Sequence, residues 1–187
     1  MKPNFLRDVL VNNGFPARAV DCYMAPPTPL AGPWRAVYDA ILPRLGSGTL
    51  NALLGNRGTG KTVLASGLGA VVSLKQKRSV RYTTARQLFL QLRATSRNGG
   101  ATEWEVFRSF RLPDYLVIDE IGRAAGSAWE LGTMSELIDA RYGDKKDTIL
   151  ISNQEQADFE AGIGDSVVSR LNECGFIIPC NWKSFRE

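Results

Sequence analysis

Short apolar runs alternate along this chain with longer stretches in which apolar residues recur at helical spacing. Residues 49–54, 79–84, 115–119, 148–152 and 176–179 read as short strands. Tyr115-Leu116-Val117-Ile118 is unbroken up to Asp119, the pattern of a strand covered on both faces in a parallel sheet. Between the runs lie helical segments. Residues 34–42 carry Trp34, Val37, Tyr38 and Ile41, with Pro43 marking the end. Residues 61–74 follow, then 84–95 with Leu88, Phe89 and Leu92, a segment with Trp104, Phe107 and Phe110, and residues 129–142. Strand and helix in alternation predict an α/β fold in which five parallel strands lie between helices.

Residues 1–33 break that rhythm. They read as a short proline-rich N-terminal segment. At Ala25-Pro26-Pro27-Thr28-Pro29 it should be extended or turn-like, because proline fixes its own φ and restricts the residue before it. Residues 34–187 then read as one domain, and a chain of 187 residues can bury about 70% of its unfolded surface without help from disulfides or metal.

Composition removes some chemistries. The chain has no histidine, so a general base must be a carboxylate, lysine, tyrosine or cysteine. Cys22, Cys174 and Cys180 are scattered, with no CxxC pair. That argues against zinc and for free thiols in a reducing compartment. No apolar leader opens the chain and no 18-residue apolar run follows, so a soluble intracellular protein is expected. Lysine and arginine outnumber aspartate and glutamate by 23 to 19, a net charge of +4. This is compatible with a nucleic-acid partner and too small to require one.

Gly55-Asn56-Arg57-Gly58-Thr59-Gly60-Lys61-Thr62 meets GxxxxGK[ST] at every fixed position, after an apolar strand and at the head of an apolar helix. In that context the glycines let successive backbone N–H groups turn toward phosphate oxygens, and the helix offers its positive end. Lys61 would reach the β- and γ-phosphates of ATP, and the Thr62 hydroxyl would ligate Mg²⁺. At the acidic strand end, Asp119 is suited to hold Mg²⁺ directly or through its water shell, and Glu120 to orient and polarise the attacking water. Together these residues predict a P-loop ATPase with a RecA-like core.

Other polar residues are open to two readings. Asn153, after Ile149-Leu150-Ile151-Ser152, suits a hydrogen bond to the attacking water or the γ-phosphate, or simply a turn. Arg170 and Arg186 are candidates to neutralise transition-state charge, or solvated surface arginines. Trp129 suits stacking on a base or the core face of an amphipathic helix.

Taken in order, GNRGTGKT, YLVIDEIG, LIDARY, TILISNQ, SRL and the closing NWKSFR resemble the DnaC/IstB-like branch of AAA+ ATPases, the bacterial and phage helicase loaders and their transposition-helper relatives. The resemblance runs from about Ala36 to the C-terminus. The first two motifs say only P-loop ATPase; ILISN followed by SRL and NWKSFR is the more specific part. The resemblance implies ATP hydrolysis with Asn153 as sensor 1, Arg170 as an arginine finger acting on a neighbour's ATP, and Arg186 as the sensor-2 arginine. It therefore implies an ATP-dependent homo-oligomer, ring or spiral, with a replicative helicase as partner in the cytoplasm of a bacterium or a phage-infected host. It also implies an initiator-type insertion around residues 86–110, which with the loop after the acidic strand lines a path for single-stranded DNA. There Arg93, Arg97 and Arg108 would meet phosphates, while Ser127 and Trp129 resemble positions where loaders carry a serine and an aromatic.

The chain departs from the loaders in three places. Only residues 1–33 stand where a loader has an N-terminal helical domain that grips the helicase. Ser96 stands where a loader can carry a DNA-stacking aromatic. Glu187 follows directly on Arg186, leaving no room for the separate helical lid of many AAA+ proteins. The expected function is an ATP-dependent helicase loader on single-stranded DNA. A transposition helper on duplex DNA is the alternative, and a P-loop small-molecule kinase, which would need a substrate lid, is a third.

Overall fold

The structure, a computed structural model, describes residues 3–26, 32–95, 100–122 and 127–185. In chain order its elements are α1 (Pro3–Asn12), α2 (Ala17–Met24), α3 (Pro33–Ile41), β1 (Leu50–Leu54), α4 (Lys61–Leu74), β2 (Val80–Thr84), α5 (Ala85–Ala94), α6 (Glu103–Arg111), β3 (Tyr115–Ile121), α7 (Ala128–Gly143), β4 (Asp147–Ser152), α8 (Gln156–Ile163), α9 (Asp165–Cys174) and β5 (Phe176–Pro179). The strands lie where the apolar runs place them. All pairings are parallel, in the order β2-β3-β4-β1-β5. This crossover order sets β4 between β1 and β3, so the loop leaving β1 and the acids ending β3 stand two strand spacings apart, about 10 Å.

Helices cover both faces, which is why β1 and β4 are buried along their whole length. One face holds Leu53, Leu64, Leu68, Val117, Ile149 and Ile151, with α4 upon it. The other holds Leu54, Leu88, Phe110, Leu116, Ile118, Leu150 and Leu171 beneath α5, α6, α7 and α9. Each such leucine or isoleucine, fully buried, stabilises by about 1.5–3 kcal/mol. Three helices begin on capping boxes, Thr84 with Gln87, Thr102 with Glu105 and Ser127 with Glu130. In each, the hydroxyl accepts an N–H that the helix itself leaves unpaired.

The N-terminal segment differs from its sequence reading. Residues 3–26, read from the sequence only as part of a short proline-rich segment, form α1 and α2, and Leu10, Phe15 and Val20 enter the same core as Trp34 and Leu64. Pro16 is the N-cap of α2, a position where a fixed φ and a missing N–H are harmless. The segment shares the core of the chain that follows. Of the stretch expected to be extended, residues 27–29 lie outside the described residues.

The opposite end of the sheet is fastened by charge. Arg141, 1% exposed, donates to Thr148 Oγ1 and to the carbonyls of Phe110, Arg111, Pro113 and Asp147. Asp147 accepts the N–H groups of Gly46, Gly48 and Thr49. Asp114 accepts from Ser79 and, at 2.6 Å, from Lys146. With its start held this way, the sheet carries its C-terminal edge as a rigid rim for the loops above. Among the described residues no helix is long and apolar enough to cross a membrane.

Candidate nucleotide site

β1 runs directly into the glycine loop, and α4 starts at Lys61. Gly60 is the N-cap of that helix with φ +81°, left-handed backbone that a side chain would strain. A Cβ there would also stand 3.0 Å from Trp34 Nε1. Lys61 is buried, and its ammonium donates to the carbonyls of Gly55 at 2.6 Å and Asn56 at 2.7 Å. The lysine thus lies folded across its own loop. Thr59 Oγ1 donates to Asn56 O at 3.0 Å, tightening the same turn, while Asn56 and Arg57 are exposed.

Thr62, the second residue of α4, meets the acidic strand end. Its hydroxyl donates to Asp119 Oδ2 at 2.8 Å. The same oxygen accepts the hydroxyl of Tyr82 at 2.8 Å, and Oδ1 accepts the backbone N–H of Glu120 at 2.6 Å. Asp119 is 7% exposed, and these donors compensate the burial of its carboxylate. A hydroxyl beside a carboxylate is a hard oxygen set of the kind Mg²⁺ takes while keeping several waters. Thr62 and Asp119 therefore fit the metal expected from the sequence.

Glu120 is set apart from its neighbour by a backbone irregularity. Its φ is +59°, and the pairing of β3 with β4 shifts register between Ile118 and Ile121. The bulge leaves Glu120 exposed between buried Asp119 and Ile121. A non-glycine residue held in this region costs about 1–3 kcal/mol, and such strain gathers at functional sites. Asn153 is exposed just past β4. Since Leu53 pairs with Ile151 and Ile121 with Ser152, Asn153 stands on the rim between the glycine loop and Glu120.

Arg170 is elsewhere. It sits on α9, on the sheet face opposite α4, with its guanidinium 3.1 Å from Asp139 Oδ1 and over the ring of Tyr142. It also donates to the Ser166 carbonyl at 2.8 Å. The groove beside it is lined by Tyr142, Ser166, Ser169 and Glu173. Arg97 and Arg186 lie outside the described residues. Of the residues expected at DNA, Arg93 lies over Trp129, 4.9 Å from the ring centroid, and pairs with Glu130 at 3.0 Å. Trp129 is half-exposed and meets Phe89 edge-on at 6.0 Å. Ser127 caps α7, and Arg108 is exposed on α6.

The structure adds Tyr82 to the site, a residue the sequence offered no reason to choose. Burial and the adjacent Asp119 push its phenol well above the usual tyrosine range, so it remains a donor. No motif marks it; only the register that sets Thr84 opposite Asp119 brings β2 to the acid.

Known proteins are similar to this chain in sequence and in fold. A family model described as IstB-like ATP binding protein matches residues 49–178. The replicative helicase loader DnaC of Buchnera aphidicola subsp. Baizongia pistaciae is 30% identical over 135 residues, 71% of this chain and 54% of that protein. The chain thus spans about half the length of the curated relatives it matches. Among solved structures, AMPPCP-bound DnaA from Aquifex aeolicus has a TM-score of 0.65 at 25% identity, over 78% of this chain and 44% of that one. A DnaC helicase loader has a TM-score of 0.65 at 23% identity, over 77% and 86%, a likeness of fold. The fold is that of RecA-like AAA+ P-loop proteins.

Proposed function

Because the chain belongs to the IstB-like ATP binding protein family, we propose that it binds and hydrolyses ATP at residues 55–62 and uses that cycle as a helicase loader, assembling on single-stranded DNA to act on a replicative helicase. The reading is carried by the meeting of Thr62 with Asp119 beside a glycine loop already crossed by its lysine.

The amides of the loop and the N-terminus of α4 bind the triphosphate. Lys61 exchanges two neutral carbonyls for charged phosphate oxygens, and charge-assisted bonds are roughly twice as strong as neutral ones. Thr62 and Asp119 would hold Mg²⁺, which when bound neutralises charge on the β- and γ-phosphates. Glu120 orients a water and takes its proton as the new P–O bond forms and the bond to the bridging oxygen breaks. Asn153 holds that water or the γ-phosphate. Arg170, seated away from its own loop, acts on the nucleotide of a neighbouring copy. Asp119 keeps its place throughout through Tyr82 and the Glu120 amide.

Two substitutions test this. Lys61→Ala should sharply weaken nucleotide binding, measured with a fluorescent ATP analogue. Glu120→Gln should bind as the unsubstituted protein does and lose about 10²–10⁴ in turnover; an unchanged rate removes Glu120 from its role. The resemblance of the ordered motifs to the DnaC/IstB-like branch leaves a second reading, a transposition helper on duplex DNA. Tighter binding to a duplex than to a single strand of the same length would put it first.

A further inference from the structure

Three consecutive carbonyls of the glycine loop are held by donors far away in sequence. The backbone N–H of Phe185 donates to Gly58 O at 2.9 Å, and the indole of Trp182 to Thr59 O at 2.9 Å. The indole of Trp34 donates to Gly60 O at 3.2 Å, a carbonyl that also accepts the Leu64 N–H of α4 at 2.8 Å. The donors come from two directions, Trp34 from α3 and the other two from the segment after β5. That segment is led there by the sheet. Leu54 pairs with Pro179, Cys180 donates its N–H to Leu54 O at 2.7 Å, and a Cβ on Gly55 would meet Asn181 Oδ1 at 3.0 Å.

A trans peptide is planar and carries its C=O and the following N–H on opposite edges. Holding the carbonyls of Gly58, Thr59 and Gly60 therefore turns the amides that follow them, those of Thr59, Gly60 and Lys61, each away from the donor that holds its peptide plane. Both indoles are themselves fixed. Trp34 is buried and stacked on Tyr38 at 5.5 Å with 12° between the planes, and Trp182 and Phe185 pack against the core that contains Trp34.

We propose that Trp34 and Trp182 are positioning residues of the nucleotide site: each uses its indole N–H to hold a peptide plane of the loop so that the loop's amides face the phosphates. The proposal rests on the reading of residues 55–62 as an ATP site. Neither tryptophan touches nucleotide; each acts through the carbonyl it holds. Hydrogen bonds in a chain polarise one another, so phosphate accepting from the amides strengthens the indole bonds on the opposite edges. Nucleotide occupancy is thereby passed to α3 and to the C-terminal segment together.

Trp34→Phe and Trp182→Phe keep a ring and remove the N–H. Each should weaken binding of a fluorescent ADP, followed by anisotropy, about fivefold, the effect of one neutral hydrogen bond. In the unsubstituted protein, the indole ¹⁵N–¹H resonances of Trp34 and Trp182 should shift when ADP is added, while that of Trp104, exposed on α6, stays in place. That spectrum decides alone if a variant does not fold. Indole resonances of Trp34 and Trp182 unmoved at saturating ADP, or two folded variants with unchanged affinity, overturn the proposal. If the unsubstituted protein binds neither ADP nor ATP, the ATP reading fails and this one with it. If it binds and only Lys61→Ala weakens binding, the ATP reading stands and this one alone falls.

Discussion

The hydroxyl of Tyr82 donates to the same Asp119 oxygen that accepts from Thr62, each at 2.8 Å. The tyrosine is placed from the N-terminal side: its N–H donates to Asn13 O at 2.9 Å, and its ring lies 5.6 Å from that of Phe15. The turn between α1 and α2 therefore supports the residue that orients the acid. Hydrogen bonds of this kind typically govern a metal site's affinity by 10–100-fold. Tyr82→Phe is expected to raise the Mg²⁺ concentration for half-maximal ATP turnover by about tenfold, with a stability loss of about 1 kcal/mol. A Mg²⁺ titration checks it; an unchanged midpoint makes Tyr82 a packing residue only.

Arg170 is parked against Asp139 and Tyr142, on the face away from its own glycine loop. A head-to-tail neighbour can receive it, and such packing builds rings or spirals. Arg170→Ala should bind ATP normally and lose about 10³–10⁵ in hydrolysis. Mixed with Glu120→Gln it should recover part of the activity, because one mixed interface joins an intact carboxylate to an intact arginine. Specific activity that stays constant on dilution, with no recovery in the mixture, makes Arg170 a surface residue.

Trp129 has one edge on Phe89 and 39% of its surface exposed, so it lies neither wholly in the core nor wholly free of it. Arg93 covers it while paired to Glu130. Trp129→Ala should weaken single-stranded DNA binding by about 1–3 kcal/mol. Arg93→Ala should lower the salt dependence of binding by about one phosphate contact. Oligonucleotide anisotropy across a salt series measures both, and equal affinities for all three proteins would remove this surface from DNA.

Asp114 gives a pH dependence with a definite sign. Partial burial pushes its carboxyl up, but hydrogen bonds from Lys146 and Ser79 outweigh this and bring it from 3.8 to about 2. A group depressed in the folded state contributes stability that is present above its ordinary value and lost as pH falls through the folded one. Solvent screening keeps the pair near about 1 kcal/mol at neutral pH. Between pH 3.8 and about 2, the unsubstituted protein should lose more stability than Asp114→Asn. Parallel denaturation curves for the two over that window would remove the pair from acid stability.

The phosphate loop, Lys61 at the head of α4, the order of strands and helices from β1 to β4, and the two acids ending β3 were all legible in the sequence. Each depends on residues adjacent along the chain: consecutive residues make the loop, and the period of apolar positions makes a strand or helix. α8 and α9 were not read from the sequence; each is short and buries only two residues, Phe159 and Ile163 in the first, Val167 and Leu171 in the second. α1 and α2 were hidden by nearby prolines. Gly67 and Gly69 inside α4 look like poor helix choices until the rings of Tyr23 and Phe15 are seen against them. Tyr82 carries no local mark, and neither the helical spacing that includes Trp34 nor the NWKSFR run that includes Trp182 says that its indole meets the glycine loop. All three meet the site only because crossovers give the order β2-β3-β4-β1-β5. Which partners those crossovers bring together is decided by the faces that remain to be buried once every helix is packed, and a linear pattern does not contain that.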